Sequence, residues 1–476
     1  MDGELINNKQ ENSNILATES IGSLLRKFAI PSIIAMLVGA LYNIVDQIFI
    51  GQKIGEAGNA ATNIAFPLST SNVALALLFG IGAAAAFNLA MGQGKQEEAI
   101  HYIGNALTLL FVSGLVLTAI THIFLEPLLI FFGAPNDEVL QHALTYTRIT
   151  TIGFPFLIFT TGASHLIRAD GNPKYAMFST LAGAVLNTIL DPIFIFGFNM
   201  DMAGAAWATI IGQFVSFLLV LRYFKFFNSG NLVKEHFVIK WIYAKRIISL
   251  GTTPAFNQIA MMVVQITMNN SLSYYGSLSK YGSSIPLAVS GIVIKVATIF
   301  FAVIIGISQG MQPIVGYNYG AKNYTRVRKV FNLAIKYGFL IALIGFLLFQ
   351  IIPGPIISIF GKGTSQHYTD FAIRYFRIYM FFTFINFMQP ISSNFFTSIG
   401  KPKKGIFLSL TRQIIFLLPL IVIFPKIFDG IDGIMYAGPV ADFAAATVAT
   451  IMVLHEFRLM KKQEEELENK IQQAIS

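Results

Sequence analysis

Two acidic residues lie inside stretches of sequence that are otherwise apolar. Asp46 is the one charged residue in positions 28–50, and Asp191 is the one charged residue in positions 175–198. Each stretch is long enough to cross a bilayer as a helix, which takes about 20 residues. Ionisable groups at membrane depth are costly and mark functional sites. Asp46 and Asp191 are therefore our first candidates for chemistry.

Each aspartate has polar companions at helical spacing. Tyr42 and Asn43 precede Asp46 by four and three residues, and Asn187 precedes Asp191 by four. Residues three and four apart share one face of a helix. Each aspartate therefore belongs to a polar patch rather than standing alone.

Two such carboxylates suit the binding of a proton, of Na⁺ or of a cationic ligand. Removal from water favours the neutral form of a carboxylate, and two neighbouring carboxylates can share one proton. If Na⁺ is the ion, Asp46 and Asp191 are its expected ligands. The alternative is that both side chains lie at the membrane interface or are fixed by hydrogen bonds.

The composition indicates a membrane protein. The chain has 476 residues, of which 54% are hydrophobic and 12% charged, whereas soluble proteins carry about 25% charged residues. Twelve apolar stretches predict an all-α membrane protein with twelve transmembrane helices: 28–50, 66–91, 99–120, 146–166, 175–198, 203–221, 247–279, 296–321, 337–361, 378–400, 406–425 and 433–453. The chain has no cysteine, which excludes disulfides and thiolate metal sites.

The basic residues predict an orientation. Twenty-three of the 33 Lys and Arg residues fall in the two tails and in the loops on the same side as the tails. The positive-inside rule then places both termini in the cytoplasm of a multi-pass cell-membrane protein. This asymmetry explains the net charge of +9 without nucleic acid. The sequence shows no phosphate-binding GxxxxGK[ST] motif and no convergent His, Ser or metal-ligand cluster at membrane depth, so we expect neither ATP drive nor an enzyme.

The two halves of the chain repeat one another at an offset of 229 residues. Tyr146-Thr-Arg-Ile149 recurs as Tyr375-Phe-Arg-Ile378, and Gly171-Asn-Pro-Lys174 recurs as Gly400-Lys-Pro-Lys403. Six helices per repeat predict two pseudo-symmetric six-helix bundles. Such repeats are typical of transporters, with the site near the midplane.

The repeat also predicts that the acidic site is confined to one half. At the 229-residue offset Asp191 corresponds to Leu420, and the predicted seventh helix carries Gln265 but no carboxylate. The predicted boundaries are an N-terminal tail (1–23), a first lobe (24–228), a linker (229–244), a second lobe (245–457) and a C-terminal tail (458–476).

Further polar groups have several interpretations. Lys295, in the predicted eighth helix, is a ligand contact, a structural cation or a snorkelling side chain. Arg412 is expected near an interface. Pro31 is a hinge of the first helix or a static kink. The weaker candidates for a substrate cavity are Asn43, Gln47, Gln265 and Lys295.

The chain resembles the multidrug and toxic compound extrusion (MATE) family, and most closely its MepA-type members near the DinF branch. The resemblance spans about residues 24–457 and is carried by Asp46-Gln-Ile-Phe-Ile-Gly51, Arg168-Ala-Asp-Gly-Asn-Pro-Lys174 and Leu186-Asn-Thr-Ile-Leu-Asp-Pro192, among others. It implies two six-helix lobes around a V-shaped cavity. It also implies export of amphipathic, mostly cationic drugs in exchange for H⁺ or Na⁺, by a monomer without a cofactor.

The resemblance also implies residue roles. A helix-1 bend matches Pro31, and an ion-coupling site in the first lobe matches Tyr42, Asp46, Asn187, Asp191 and Thr209. The main alternative is a lipid-linked oligosaccharide flippase of the same superfamily. Its anionic substrate would require several Arg or Lys side chains along the cavity, of which only Lys295 and Arg412 are candidates.

Overall fold

The computed structural model describes residues 15–133, 137–360 and 366–475. Residues 1–14 of the predicted N-terminal tail, Gly361 of the ninth predicted helix and Ser476 of the C-terminal tail lie outside these ranges. Within them the secondary structure is helical, with no strand. The predicted class, an all-α membrane protein, is confirmed.

Six long helices form the first half of the chain. They are α1 (Ile21–Ile54), α2 (Glu56–Gly92), α3 (Gln96–Ile123), α4 (Asp137–Ala169), α5 (Pro173–Pro192) and α6 (Asp201–Tyr223). A 3₁₀ turn at Thr151–Gly153 divides α4, and a π-helical turn at Ile193–Gly197 extends α5. That turn begins directly after Pro192, which cannot donate a backbone hydrogen bond.

Six more form the second half. They are α7 (Trp241–Ser277), α8 (Ser284–Gly320), α9 (Tyr324–Ile351), α10 (residues 366–398), α11 (Pro402–Ile427) and α12 (Ile431–Ile475). A π-helical segment at Thr411–Leu417 interrupts α11. Short helices lie at Ile15–Thr18, Leu125–Phe131, Lys234–Phe237 and Pro353–Phe360, and a 3₁₀ turn at Phe224–Phe226 follows α6.

Eleven helices of the described chain are long and apolar enough to span a membrane. The twelfth, α10, consists of Gln366–Tyr379, Thr383–Asn386 and Met388–Ser398, so the continuous helix predicted over 378–400 is wrong. At the first break the Thr383 hydroxyl donates to the Met380 carbonyl at 2.7 Å. Such local bonds compete with the helical ladder.

Two predicted boundaries are also wrong. Helix α9 begins at Tyr324 rather than near residue 337, and α8 begins at Ser284 rather than near residue 296. The apolar stretches predicted for α8 and α9 begin directly after the basic residues Lys295 and Lys336. Lys and Arg side chains tolerate helical positions near the membrane because their stems are apolar. Lys295 consequently lies in the middle part of α8.

The two halves pack together on the side where α1 begins, here called the terminal side. Leu24, Leu25 and Phe28 of α1 share a core with α8, α9 and α12. Ile247 and Leu250 of α7 share a core with α2, α3 and α4. Each half therefore contributes the start of one helix to the core of the other.

Glycines bring these helices into backbone contact. Gly82 of α2 packs against the Ile247 carbonyl, and Gly251 of α7 packs against the Leu78 carbonyl, with no space for a side chain at either glycine. Between α1 and α8, Gly310 packs on Ala29 in the same way. Small residues permit such close approach in membrane helices. The two halves are therefore closely packed on the terminal side.

Candidate functional site

The acidic site lies between α1, α5 and α6. Asp191 and Asn187 are buried on one face of α5, one helical turn apart. The Asn187 amide Nδ2 donates to Asp191 Oδ1 at 3.2 Å and reaches Thr209 Oγ1 of α6 at 3.5 Å. Thr209 in turn donates to the Ala205 carbonyl at 2.9 Å. The three predicted residues are thus one hydrogen-bonded group.

Close packing of α5 and α6 makes this group possible. Gly183 of α5 and Gly212 of α6 meet backbone to backbone, and a Cβ atom at Gly212 would lie 3.1 Å from Cβ of Asn187. A larger residue at either glycine would separate the helices. The amide of Asn187 would then be held away from Thr209.

Helix α1 adds the second carboxylate. It packs against α5, and Asp46 lies close enough to Asp191 for the two carboxylates to repel when both are charged. Tyr42 interacts electrostatically with both aspartates and hydrogen-bonds to Asn43. The structure therefore brings together all five residues predicted for ion coupling: Tyr42, Asp46, Asn187, Asp191 and Thr209.

Three buried oxygen atoms in this site have no hydrogen-bond partner among the described residues. They are Asp46 Oδ1, Asn187 Oδ1 and Asp191 Oδ2. A buried acceptor without a partner costs about 1–3 kcal/mol, and more when charged. A proton or a small cation would satisfy acceptors of this type, because all three atoms are oxygens and two belong to carboxylates.

One residue of the site was missed from the sequence. Tyr146 of α4 interacts electrostatically with Asp46, Tyr42 and Asp191. It belongs to the repeated Tyr-x-Arg-Ile motif, where it corresponds to Tyr375. The motif was visible as a repeat, but which of its two copies faces carboxylates depends on packing.

The weaker candidates have other partners or bind none of the site's three buried oxygens, although Asn43 also contacts Tyr42. Asn43 donates from Nδ2 to the Gly39 carbonyl at 2.7 Å, and Gln265 of α7 donates from Nε2 to Asn269 Oδ1 at 3.0 Å. Gln47 is half-buried and Lys295 is exposed.

Pro31 lies fifteen residues before Asp46, buried within a continuous α1. Its role as a hinge stays a prediction.

The second half contains a buried ion pair that corrects the sequence analysis. Nε of Arg412 in α11 donates to Asp442 Oδ1 in α12 at 2.5 Å, and Tyr379 of α10 also hydrogen-bonds to Arg412. The placement of Arg412 near an interface is therefore wrong, because Arg412 is largely buried within α11. The confinement of the acidic coupling site to the first half stays a prediction. Unlike Asp46 and Asp191, Asp442 has a basic partner, so this pair carries no net charge.

A Glu97–His101–His236 group has the spacing of metal ligands. His236 Nδ1 accepts the Val233 backbone N–H at 3.1 Å, so in the neutral ring Nε2 carries the proton. That Nε2–H points at Glu97 Oε1, 3.0 Å away. The nitrogen facing the group is therefore a donor rather than a metal ligand. The group instead ties the linker between α6 and α7 to α3.

The fold and the site define a polytopic helical membrane protein with an acidic site buried in one half. The MatE family profile matches residues 31–193 and 255–423, which is more than half of the chain. The chain belongs to the MatE family.

Relatives and solved structures resemble the chain over most of its length. "Multidrug export protein MepA" of Staphylococcus haemolyticus is 23% identical over 448 residues, covering 94% of this chain and 96% of that protein. The MepA protein of Staphylococcus aureus (strain MSSA476) is 23% identical over 429 residues, covering 90% and 92%.

Among solved structures, an outward-facing multidrug resistance MATE family transporter of the MOP superfamily superposes with a TM-score of 0.87, at 23% identity, covering 95% of this chain and 99% of that one. A MOP superfamily transporter from Pyrococcus furiosus, described as having a binding pocket of reverse polarity, also gives 0.87, at 22% identity, covering 94% and 98%. These similarities show that the chain has the same fold as the two transporters.

Proposed function

We propose that the protein is a secondary active exporter of amphipathic organic cations, driven by exchange for H⁺ or Na⁺ at Asp46 and Asp191. The observation that carries the proposal is the set of three unpartnered buried oxygens at this site. The MatE family membership and the MepA relatives support multidrug export as the activity.

The charge asymmetry of the loops supports an orientation with both termini in the cytoplasm. The closely packed terminal side then corresponds to the cytoplasmic side, and the acidic site would be reached from the exterior. In this state the acids of α1 and α5 exchange cargo for the coupling ion. Ion binding neutralises the carboxylates and removes their attraction for a cationic cargo.

The driving force depends on how many ions are exchanged per cargo molecule. One pH unit supplies about 1.4 kcal/mol per proton. Exchange of one ion for one singly charged cation moves no net charge, so the membrane potential does not contribute and one pH unit supports a cargo gradient of about tenfold. A second ion per cycle would move one net charge inward and add about 2.3 kcal/mol for each 100 mV.

The flippase alternative receives less support. An anionic lipid-linked cargo requires several unpaired cations along the cavity. Arg412 is neutralised by Asp442, which leaves Lys295 alone of the two candidates. Asp46 and Asp191, which have no basic partner among the described residues, would repel such a cargo.

The experiment is ethidium efflux from proteoliposomes under separately imposed H⁺ and Na⁺ gradients. We expect efflux to follow one of the two gradients and to be lost in Asp46→Asn and in Asp191→Asn. Asp137→Asn, at the exposed start of α4, is the matched control and should behave as wild type. Efflux that ignores both gradients, or that persists in both variants, contradicts the proposal.

A further inference from the structure

The linker between α6 and α7 runs along α3 in the direction of the membrane. The Ser229 carbonyl accepts a hydrogen bond from Nε2 of Gln96, the first residue of α3, at 2.6 Å. The Phe237 carbonyl accepts one from Oγ1 of Thr108 at 2.8 Å. Thr108 lies twelve residues beyond Gln96, which is about 18 Å along a helix. The linker therefore follows α3 for about three turns before it enters α7.

A single buried side chain of α3 holds both arms of the turn that the linker makes there. Nδ2 of Asn105 donates to the His236 carbonyl at 3.0 Å, and its Oδ1 accepts the Lys240 backbone N–H at 2.8 Å. Gly104 packs against the His236 carbonyl with no space for a side chain. The position of the turn is thus fixed by α3. We call residues 237–242, which make this turn and begin α7, the linker tip.

The linker tip exposes large apolar side chains. Five of its six residues are apolar and exposed, and two of them, Trp241 and Ile242, are 71% and 73% exposed; the others are Phe237, Val238 and Ile239. A contiguous apolar surface of this kind is unfavourable in water and marks a contact with a membrane or with another protein.

The depth of the linker tip corresponds to the surface of the membrane. On α3 the exposed large apolar side chains begin at Phe111, about one turn beyond Thr108, which contacts Phe237. The hydrocarbon boundary on the terminal side therefore lies near Phe111. Residues 238–240 are not helical, and irregular backbone is not tolerated against lipid tails. The headgroup region accepts peptide groups and apolar side chains together, so it is the environment that fits the tip.

Two lysines flank the linker tip. Lys234 precedes Phe237 by three residues, and Lys245 follows Trp241 by four, on the same exposed face of α7. Neither forms an ion pair within the ranges that the structure describes, whereas Lys240 pairs with an adjacent glutamate at 3.0 Å. Side chains of a helix tilt towards its N-terminus. The Lys245 ammonium therefore extends back from α7 towards the level of the headgroups.

We propose that the linker tip inserts into the membrane surface on the terminal side, and that Lys234 and Lys245 bind the phosphate group of an anionic phospholipid there. Trp241 takes the position that tryptophan prefers, between headgroups and acyl chains. In the orientation proposed above this is the cytoplasmic leaflet, whose negative surface attracts basic segments next to a membrane helix. The site is separate from Asp46 and Asp191 and does not depend on the cargo or on the coupling ion.

Trp241 itself can report on its surroundings. The chain has two tryptophans, so Trp207→Phe leaves Trp241 as the single fluorophore of this type. The full-length variant is reconstituted into phosphatidylcholine vesicles that contain a fixed fraction of brominated phosphatidylcholine or brominated phosphatidylglycerol, and quenching of the fluorescence is measured. We expect bromine near the headgroup to quench more than bromine near the chain end. We also expect brominated phosphatidylglycerol to quench more than brominated phosphatidylcholine.

Lysine variants in the same background test the headgroup contact. Lys234→Gln and Lys245→Gln should each lower the apparent association of brominated phosphatidylglycerol with the tip by up to about fivefold, and together they should abolish its preference over phosphatidylcholine. Lys234→Arg with Lys245→Arg should retain the preference because both charges remain. The matched control is Lys462→Gln, which removes an exposed lysine of α12 beyond the membrane and should change nothing.

A second control is Trp241→Phe, which leaves Trp207 of α6 as the fluorophore. Its quenching should not distinguish the two brominated lipids. Thermal melting confirms that each protein is folded, and Trp207→Tyr replaces Trp207→Phe if the latter is not.

Equal quenching of Trp241 by the two brominated lipids would overturn the proposal, as would a preference that survives the loss of both lysines. Quenching by iodide in the water, without quenching by either brominated lipid, would also overturn it. The exposed apolar run would in that case be a contact surface for another protein.

Discussion

Nδ2 of Asn187 donates a 3.2 Å hydrogen bond to Oδ1 of Asp191, one helical turn further along α5. This bond leaves Oδ2 of Asp191 and Oδ1 of Asn187 without partners and buried. The amide therefore orients the carboxylate while keeping one acceptor oxygen on each residue available for an ion. The arrangement explains why a neutral residue belongs to an ion-coupling site.

Replacing Asn187 with alanine should weaken coupling-ion binding about tenfold, the effect of losing a hydrogen bond to a charged group. The measurement is the ion concentration that gives half-maximal ethidium efflux. Asn269→Ala removes an asparagine of α7 that bonds only to Gln265 and serves as the control. Equal effects of the two variants would contradict the assigned role.

Tyr146→Phe should move the pH of half-maximal efflux upward by about half a pH unit, because the lost hydroxyl helps to solvate the charged carboxylates. Tyr375→Phe changes the equivalent residue of the repeat, which lies away from the acidic site. It should leave the pH profile unchanged. The measurement is the efflux rate of both variants as a function of pH. Identical profiles for Tyr146→Phe and wild type would exclude Tyr146 from the site.

Asp442→Asn should destabilise the protein by about 3–5 kcal/mol, because it leaves the Arg412 charge buried without its partner. The double variant Arg412→Met with Asp442→Leu should recover most of this loss. Asp432→Asn breaks the more exposed pair with Arg374, 2.6 Å apart, and should cost less than about 1 kcal/mol. Thermal unfolding in detergent ranks the three, and a double variant no more stable than Asp442→Asn would refute the prediction.

Stability should also depend on Asp170, which follows α4 outside the membrane-spanning segments. Burial raises the pKa of Asp170 to about 6. Hydrogen bonds from Ser229, Tyr223 and Asn228 lower this pKa, but the effect of burial is larger. An unfolded aspartate has a pKa of about 3.9. The folded state therefore binds this proton more tightly, so the stabilisation is complete below about pH 4 and is lost as the pH rises through 6.

Asp170→Asn should remove this component, leaving a flatter melting temperature between pH 4 and pH 7. The exposed Asp137→Asn variant should keep the wild-type slope. Melting curves at several pH values compare the three proteins. A slope in Asp170→Asn as steep as that of wild type would show that another group is responsible.

Much of the candidate site was predictable because it is local. Asn187 and Asp191 are one helical turn apart, so the sequence alone put them on one face of a helix. Tyr42 and Asp46 follow the same logic. Thr209 came only from the family resemblance, because nothing in the sequence near it indicates a neighbour in α5.

The residues that were missed depend on contacts between distant helices. Tyr146 lies near Asp46 and Asp191 only because the first part of α4 packs against α2 and α6. The Arg412–Asp442 pair joins residues thirty positions apart, so Arg412 alone was predicted to lie near an interface. The break in α10 was missed because hydropathy records how apolar a stretch is and not whether its hydrogen-bond ladder is continuous.

The sequence by itself determined the helical membrane class, the twofold repeat of six helices and the two intramembrane aspartates, because hydropathy, periodicity and the cost of a charge in lipid are properties of the chain alone. Only the tertiary structure decided which charges are neutralised. Asp442 has Arg412 within hydrogen-bonding distance, whereas in the part of the chain that the structure describes Asp46 and Asp191 have no basic partner and Lys295 has no acid. Pairing depends on the register and packing of separate helices, which no single stretch of sequence specifies.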